Sequence, residues 1–307
     1  MMSNLFDPML KKVRARAISN GHPFRIGMII SAGDFDMLSS LHDPLEEGWL
    51  KPIFYGNADV MTDALNNAGL DKHKCILADA IDRETRIIAM MEAVLGGGLS
   101  AICIGPDAAT RNFDLLKKAR ADFFPVNSIG CGIAVIAVNG FERLLFVSDI
   151  TMRAEPDVDQ RVEIVNHCID TALGCGVEKP RVAMLAAVEV VNPGMPVTVE
   201  AQQISEKVKR EDAIIEGPVS LDLAVNMLAV QKKKATGDVP GKADCLIGSN
   251  LTVSRSIYQA AVSLSGAKAG VVLAGGSVPV ALPGRADGSE GLYLSTLIAT
   301  LIALDDS

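Results

Sequence analysis

The chain has 307 residues, room for two domains of ordinary size or one large α/β unit. It is 49% apolar with a mean hydropathy of +0.28, yet Gly, Pro or charge interrupts each apolar run before the ~18 residues that a membrane span needs. A net charge of −8 argues against a general nucleic-acid surface, while a small anionic ligand needs only a few local cations.

Aromatic residues make up only 4% of the chain, so the core must be built from Val, Ile, Leu, Ala and Met. That composition suits parallel strands covered on both faces. The start, Met-Met-Ser-Asn-Leu-Phe-Asp, lacks the basic-then-apolar order of a signal peptide. Six cysteines (75, 103, 131, 168, 175 and 245) show no Cys-x-x-Cys spacing and sit mostly in apolar surroundings. They read as reduced core residues of a cytoplasmic protein, without a metal.

Short β-branched runs closed by Gly, Pro, Asn or Asp predict strands. They fall at Phe24–Ile30, Lys51–Tyr55, Ala101–Ile104, Ala134–Val138, Leu144–Val147, Val182–Ala187, Ala213–Glu216, Cys245–Ile247, Gly270–Leu273 and Val278–Leu282. Helices are predicted between them at Ala58–Ala68, Arg83–Leu95, Gln160–Leu173, Val199–Lys209, Leu221–Lys232, Val253–Ser265 and Gly291–Leu304. The alternation predicts a right-handed, mostly parallel sheet. Gly96-Gly-Gly98 and Lys233–Lys242 read as flexible points, and a domain change is expected near Ser148-Asp149.

Ligands on such sheets bind at the carboxyl ends of strands, so the segments just after strands carry the functional weight. Ile104-Gly-Pro-Asp-Ala-Ala-Thr-Arg111 offers close backbone approach at Gly105 and an anion-reaching Thr110 and Arg111. Asp149-Ile-Thr-Met-Arg153 sets a carboxylate, a hydroxyl and a guanidinium after one strand, either for a polar substrate or for one another. Glu189-Val-Val-Asn-Pro-Gly-Met-Pro-Val-Thr-Val-Glu200 is a loop stiffened by proline. It presents Glu189 and Asn192, with Thr198 placed to cap the helix from Val199. In Glu216-Gly-Pro-Val-Ser-Leu-Asp222, Ser220 reads as an N-cap and Asp222 as a first-turn carboxylate. Glu216 either faces the same cleft as Asn192 or serves the turn. Lys232, Lys233 and Lys234 read as a solvated helix end. Pro279 to Glu290 ends in Gly-Arg-Ala-Asp-Gly-Ser-Glu, which reads either as a surface turn or as a place where one fixed cation, a carboxylate and backbone N–H groups meet to hold a phosphate-sized anion.

The four histidines show no ligand spacing. The dinucleotide fingerprint, the Walker A loop and the Gly-x-Ser-x-Gly elbow are all missing from the sequence.

From Asp149 to the C-terminus the chain resembles the phosphate acetyltransferase/phosphate butyryltransferase family, and more closely its butyryl branch. The resemblance is carried by Ser148-Asp149, Pro156-Asp-Val-Asp-Gln160, Arg181 to Pro196 with its Glu-Val-Val-Asn-Pro-Gly-Met-Pro run, Glu216-Gly-Pro-Val-Ser-Leu-Asp222, Ala243-Asp244 and Gly284-Arg-Ala-Asp287. It covers about half the chain. It implies a two-domain α/β/α three-layer fold like that of isocitrate and isopropylmalate dehydrogenases. The first domain would comprise 1–147 plus 281–307, and the second 148–280.

The resemblance further implies a cytoplasmic homodimer that transfers a short acyl group between coenzyme A and inorganic phosphate in an interdomain cleft. Its partners are then small molecules, acyl-coenzyme A and phosphate, with no nucleic acid and no membrane. Coenzyme A acts as substrate, no cofactor is tightly bound and no metal is needed. Arg285 is assigned to phosphate, facing the Asn192 turn across the cleft. Asp287 or Glu290 handles the thiol proton, with Glu290 favoured if the last helix starts near Ser289. Gly284 and Gly288 amides or the Ser289 hydroxyl meet the oxyanion, and Asp149, Glu189, Asn192 and Glu216 line the opposite wall.

Four places depart from the family pattern. Gly284 stands where Ser is usual, Ile104-Gly105 where Lys-Gly is usual, and Glu216-Gly-Pro218 where Asp-Gly-Pro is usual. Ser249-Asn250, Ser254-Arg255 and Tyr258-Gln259 replace Pro-Asp, Gly-Asn and Tyr-Lys. These departures sustain a rival reading, a protein that binds coenzyme A or acyl phosphate with little or altered catalysis. A dehydrogenase of the same fold would need metal-binding aspartates and an NAD loop, neither of which the sequence offers.

Overall fold

The computed structural model describes residues 5–30, 32–79, 82–106, 130–284 and 286–304. Two compact units account for the chain: residues 1–130 with 269–307, and residues 131–268. The first unit opens with α1 (Asp7–Asn20), β1 (Phe24–Ile29), a 3-10 helix (Ala32–Leu41), α2 (His42–Glu46), β2 (Leu50–Gly56), α3 (Ala58–Asn67), β3 (Ile76–Asp79), α4 (Arg83–Leu95) and β4 (Ala101–Ile104). The second unit holds β5 (Cys131–Ala137), β6 (Leu145–Ser148), α5 (Val158–Gly174), β7 (Arg181–Leu185), α6 (Pro196–Lys207), β8 (Ile214–Val219), α7 (Leu221–Val225), α8 (Met227–Lys233), β9 (Cys245–Ile247) and α9 (Leu251–Ser265). The chain then returns to the first unit as β10 (Lys268–Ala274), β11 (Val280–Ala281) and α10 (Gly288–Ile302).

In the first unit the strand order is β3-β2-β1-β4-β11-β10. Its pairs are parallel except β10 with β11. The central strands are apolar on both faces, with Ile26, Met28, Ile102 and Cys103 fully buried. Helix α10 closes this core with Leu292, Leu297 and Ile298, all fully buried. It lies so close to β10 that a Cβ on Gly270 would sit 2.6 Å from Ile298 Cδ1 and 2.7 Å from the Leu294 carbonyl carbon. The buried Ser295 hydroxyl accepts the Val271 amide at 2.9 Å, so the polar side chain facing the strand is satisfied.

In the second unit the order is β5-β6-β9-β7-β8. Only β5 with β6 is antiparallel. The expected domain limits at 147/148 and 280/281 therefore move to 130/131 and 268/269. Strands β5 and β6 belong with the second unit because β6 pairs in parallel with β9. Strands β10 and β11 belong with the first because β11 pairs with β4. Within each unit the pairing is mostly parallel, as the strand–helix alternation predicts, with one antiparallel pair in each.

Three helices differ from expectation. Asn226 adopts an extended conformation (φ −120, ψ 109), and its Oδ1 accepts the Leu228 amide at 2.8 Å. That local bond competes with the helical ladder and breaks the expected helix 221–232 into α7 and α8. Helix α6 starts at Pro196, the favoured N1 position for proline. Thr198 therefore lies inside the first turn instead of capping it. Helix α10 begins at Gly288, one residue before Ser289. The Gly96–Gly98 run is a bonded helix end: its amides donate to the carbonyls of Glu92, Val94 and Ala93 at 2.8–2.9 Å. Five cysteines are buried and Cys175 is half-buried, all of them free thiols.

Candidate functional site

In the second unit β6, β9, β7 and β8 run parallel, so the segments at 149, 248, 186 and 220 follow neighbouring carboxyl ends. Asp149 is 4% exposed. Its carboxylate accepts the backbone N–H of Gly132 and Thr151 at 2.9 Å, of Met152 at 3.1 and 3.2 Å, and of Arg153 at 2.8 Å. Burial pushes its pKa up, and the backbone donors work against that shift. Asp149 thus shapes the loop with every oxygen it has.

The segment after β9 locks onto the same loop. Ser254 Oγ donates to the Ser148 carbonyl at 2.8 Å, and the Leu251 amide to Ala154 O at 3.1 Å. Arg255 Nη1 donates to the Ile150 carbonyl at 3.4 Å. Ile104, another of the departures, is buried at the end of β4.

The loop after β7 is held by Thr198, which is fully buried. Its Oγ1 accepts the Asn192 amide at 2.8 Å and donates to Met195 O at 2.8 Å. Asn192 itself is exposed, and its Oδ1 accepts the Gly194 amide at 2.9 Å, an Asx turn just after the residue that Pro193 keeps extended.

Glu189, at the start of this loop, meets Ser220 and Lys233, which also bond Asp222. Its Oε1 accepts the Ser220 hydroxyl and, at 2.6 Å, the Lys233 ammonium. Lys233 also lies 3.1 Å from Asp222 Oδ2 and 3.2 Å from Ser220 Oγ, and Ser220 Oγ is 2.6 Å from Asp222 Oδ1. Ser220 occupies the N-cap position but makes no side-chain cap bond; its hydroxyl turns to the carboxylates instead. The Lys233 hydrogen bond, then that from Ser220, holds Glu189 below the usual glutamate range. The Ser220 and Lys233 bonds do the same for Asp222, and Glu189 raises Lys233.

Glu216 accepts the Asp238 amide at 2.8 Å and so ties down the 236–238 turn. Glu189 and Glu216 share the rim of one open groove of about 600 Å³, lined also by Gln202, Ser205, Glu206 and Pro218. Asn192 is outside that lining.

In the first unit, Gly284 and Asp287 bond one another between β11 and α10. The Gly284 amide donates to Asp287 Oδ2 at 2.8 Å, and the Asp287 amide to Gly284 O at 3.1 Å. The Gly284 N–H, expected to meet an oxyanion, is thus committed to Asp287. Ser289 and Glu290 are exposed in the first turn of α10. Arg285, Thr110 and Arg111 lie outside the described residues. Among the described residues there is no cluster of His, Cys, Asp and Glu that could hold a metal, and no helix long and apolar enough to cross a membrane.

Sequence reasoning gave Lys233 to a solvated helix end and Ser220 and Thr198 to helix caps, and so missed the bonds that these three side chains make. No periodicity finds Lys233, because the break at Asn226 decouples its helix from the one that carries Asp222.

Residues 121–300, more than half of the chain, match the model of the family described as phosphate acetyl/butaryl transferase. The phosphate butyryltransferase of Clostridium acetobutylicum is 28% identical over 306 residues, 98% of this chain and 99% of its own length. The phosphate acetyltransferase of Thermotoga maritima is 29% identical over 280 residues, 90% of this chain and 94% of its own. A branched-chain phosphotransacylase from Enterococcus faecalis V583 shares the fold with a TM-score of 0.79, at 23% identity over 91% of this chain and 99% of its own. The matched segment contains the 189–200 loop, the 216–222 turn and the 284–290 turn described above, and on this match the chain belongs to the phosphate acetyl/butaryl transferase family.

Proposed function

We propose that this protein transfers a short acyl group between coenzyme A and inorganic phosphate. The observation that carries the reading is the family match over residues 121–300, which spans the ordered loops after β7 and β8 and the turn before α10. A phosphate oxygen attacks the thioester carbonyl, forming C–O; the tetrahedral oxyanion collapses, C–S breaks, and the thiolate takes a proton. That path needs an anion clamp, a proton carrier and oxyanion donors. It needs neither a covalent enzyme intermediate nor a metal.

Arg285 holds phosphate, since a planar guanidinium matches two oxygens at once and keeps its charge at any working pH. Glu290, exposed on the first turn of α10, takes the thiol proton in this reading, with Asp287, whose Oδ2 accepts the Gly284 amide, as the alternative. With Gly284 N–H committed, the Gly288 amide and the Ser289 hydroxyl are the donors left for the oxyanion. Asn192 contacts substrate from the 189–195 loop, while Asp149, Glu189 and Glu216 act by shaping the segments around it. A cytoplasmic homodimer with a three-layer fold akin to isocitrate and isopropylmalate dehydrogenases completes this reading.

Arg285→Ala is expected to abolish acyl-phosphate formation from butyryl-coenzyme A and phosphate. Turnover equal to that of the unmodified protein would reject the assignment.

A further inference from the structure

Lys233 was expected to be one of three solvated lysines at a helix end, and a cation there does favour the helix dipole. The dipole accounts equally for Lys232 and Lys234. It does not account for the aim of the Lys233 ammonium, which lies within 3.2 Å of oxygens on three residues from two other segments. One is Glu189, at the entrance to the loop after β7. The others are Ser220 and Asp222, at the turn between β8 and α7. Ser220 is buried and touches both carboxylates.

A serine beside a carboxylate and a lysine has the outline of an activated nucleophile. The charges point the other way. The lysine and serine bonds keep both carboxylates more acidic than usual, which makes Glu189 a poor base for a hydroxyl proton. The same bonds keep Lys233 an ammonium, with no lone pair to offer. What remains is a tie between segments.

The far end of the 189–195 loop is already fixed, by the buried Thr198 against the Asn192 amide. The near end has Val190 72% exposed, and Glu189 is the residue there that bonds to another segment through its side chain. We propose that Lys233 is a positioning residue for acyl transfer: by tying Glu189 to the Ser220–Asp222 turn it fixes the loop that presents Asn192 to substrate. The inference rests on the acyl-transfer reading above and assigns to it a residue that touches no substrate.

The test compares Lys233→Met, Lys233→Arg and, as a control of equal charge loss on the same exposed helix end, Lys232→Met. Acyl-phosphate formation gives KM and kcat, amide hydrogen exchange follows residues 189–195, and thermal melting reports the fold. Lys233→Met is expected to raise KM roughly three- to tenfold with kcat within about twofold, the pattern of lost binding rather than lost chemistry. It should also speed exchange across the loop while the melting temperature stays within about 2 °C, as local opening without global unfolding. Lys233→Arg should restore most of the KM, and Lys232→Met should match the unmodified protein. A wild-type KM in Lys233→Met, an equal shift in Lys232→Met, or unchanged loop exchange would overturn the proposal. An unmodified protein that makes no acyl phosphate would sink the acyl-transfer reading and this role with it, whereas faster exchange in Lys233→Met would still establish the tie.

Discussion

Two carboxylates of the second unit show how surroundings divide one chemical group into different tasks. Asp149 is nearly out of water, and desolvation raises its pKa against the pull of four backbone amides. Glu189 is far more open, and Lys233 with Ser220 lowers its pKa. The first organises backbone; the second links segments. An asparagine at 149 would keep one acceptor oxygen and aim an NH2 group at amides that are themselves donors. Asp149→Asn is therefore expected to cost about 1–3 kcal/mol, the penalty of leaving buried donors unpaired. Urea denaturation of the purified variant reads this directly, and an unchanged midpoint with an unchanged slope would show that the loop does not depend on the carboxylate. In the first unit, Gly284 lacks the hydroxyl usual at its position in the family, and its own amide is taken by Asp287.

Among the elements, α10 meets β10 without a side chain between them at Gly270. A methyl there would overlap Ile298 Cδ1 and the backbone at 294–295, and backbone yields little. Gly270→Ala should destabilise the protein by about 1–3 kcal/mol, as overpacking does, measured as a lower denaturation midpoint; a variant as stable as the original would mean that α10 can retreat freely. The strand–helix alternation was legible because β1, β2, β4, β7 and β9 are short β-branched or apolar runs with clear stops. Helix α1 escaped notice because its buried stripe is only Met9, Val13 and Ala17 amid lysines and arginines. Strand β3, Ile-Leu-Ala-Asp, is four residues long with none of them buried, and its apolar run of three is too short to stand out. The split at Asn226 follows from a side-chain bond that propensity does not reveal. The Asn192 loop was readable from its prolines. The Lys233 tie was not, since it joins residues separated by up to 44 positions.

For the whole molecule, the family match and nearly full-length relatives agree with a fold that no single motif in the sequence could establish. The departures at Gly284, Ile104 and Arg255 leave the architecture intact, since each sits where the backbone is held by other groups. They bear on how well the protein catalyses, and that is a question for the reaction itself. Purified protein is mixed with acetyl-, propionyl- or butyryl-coenzyme A, with and without phosphate, and free thiol and acyl phosphate are both measured. The expected result is thiol release that requires phosphate, with one acyl phosphate formed for each thiol and at least one of the three acyl chains accepted. Thiol release that ignores phosphate, or no release with any of the three, would contradict acyl transfer to phosphate.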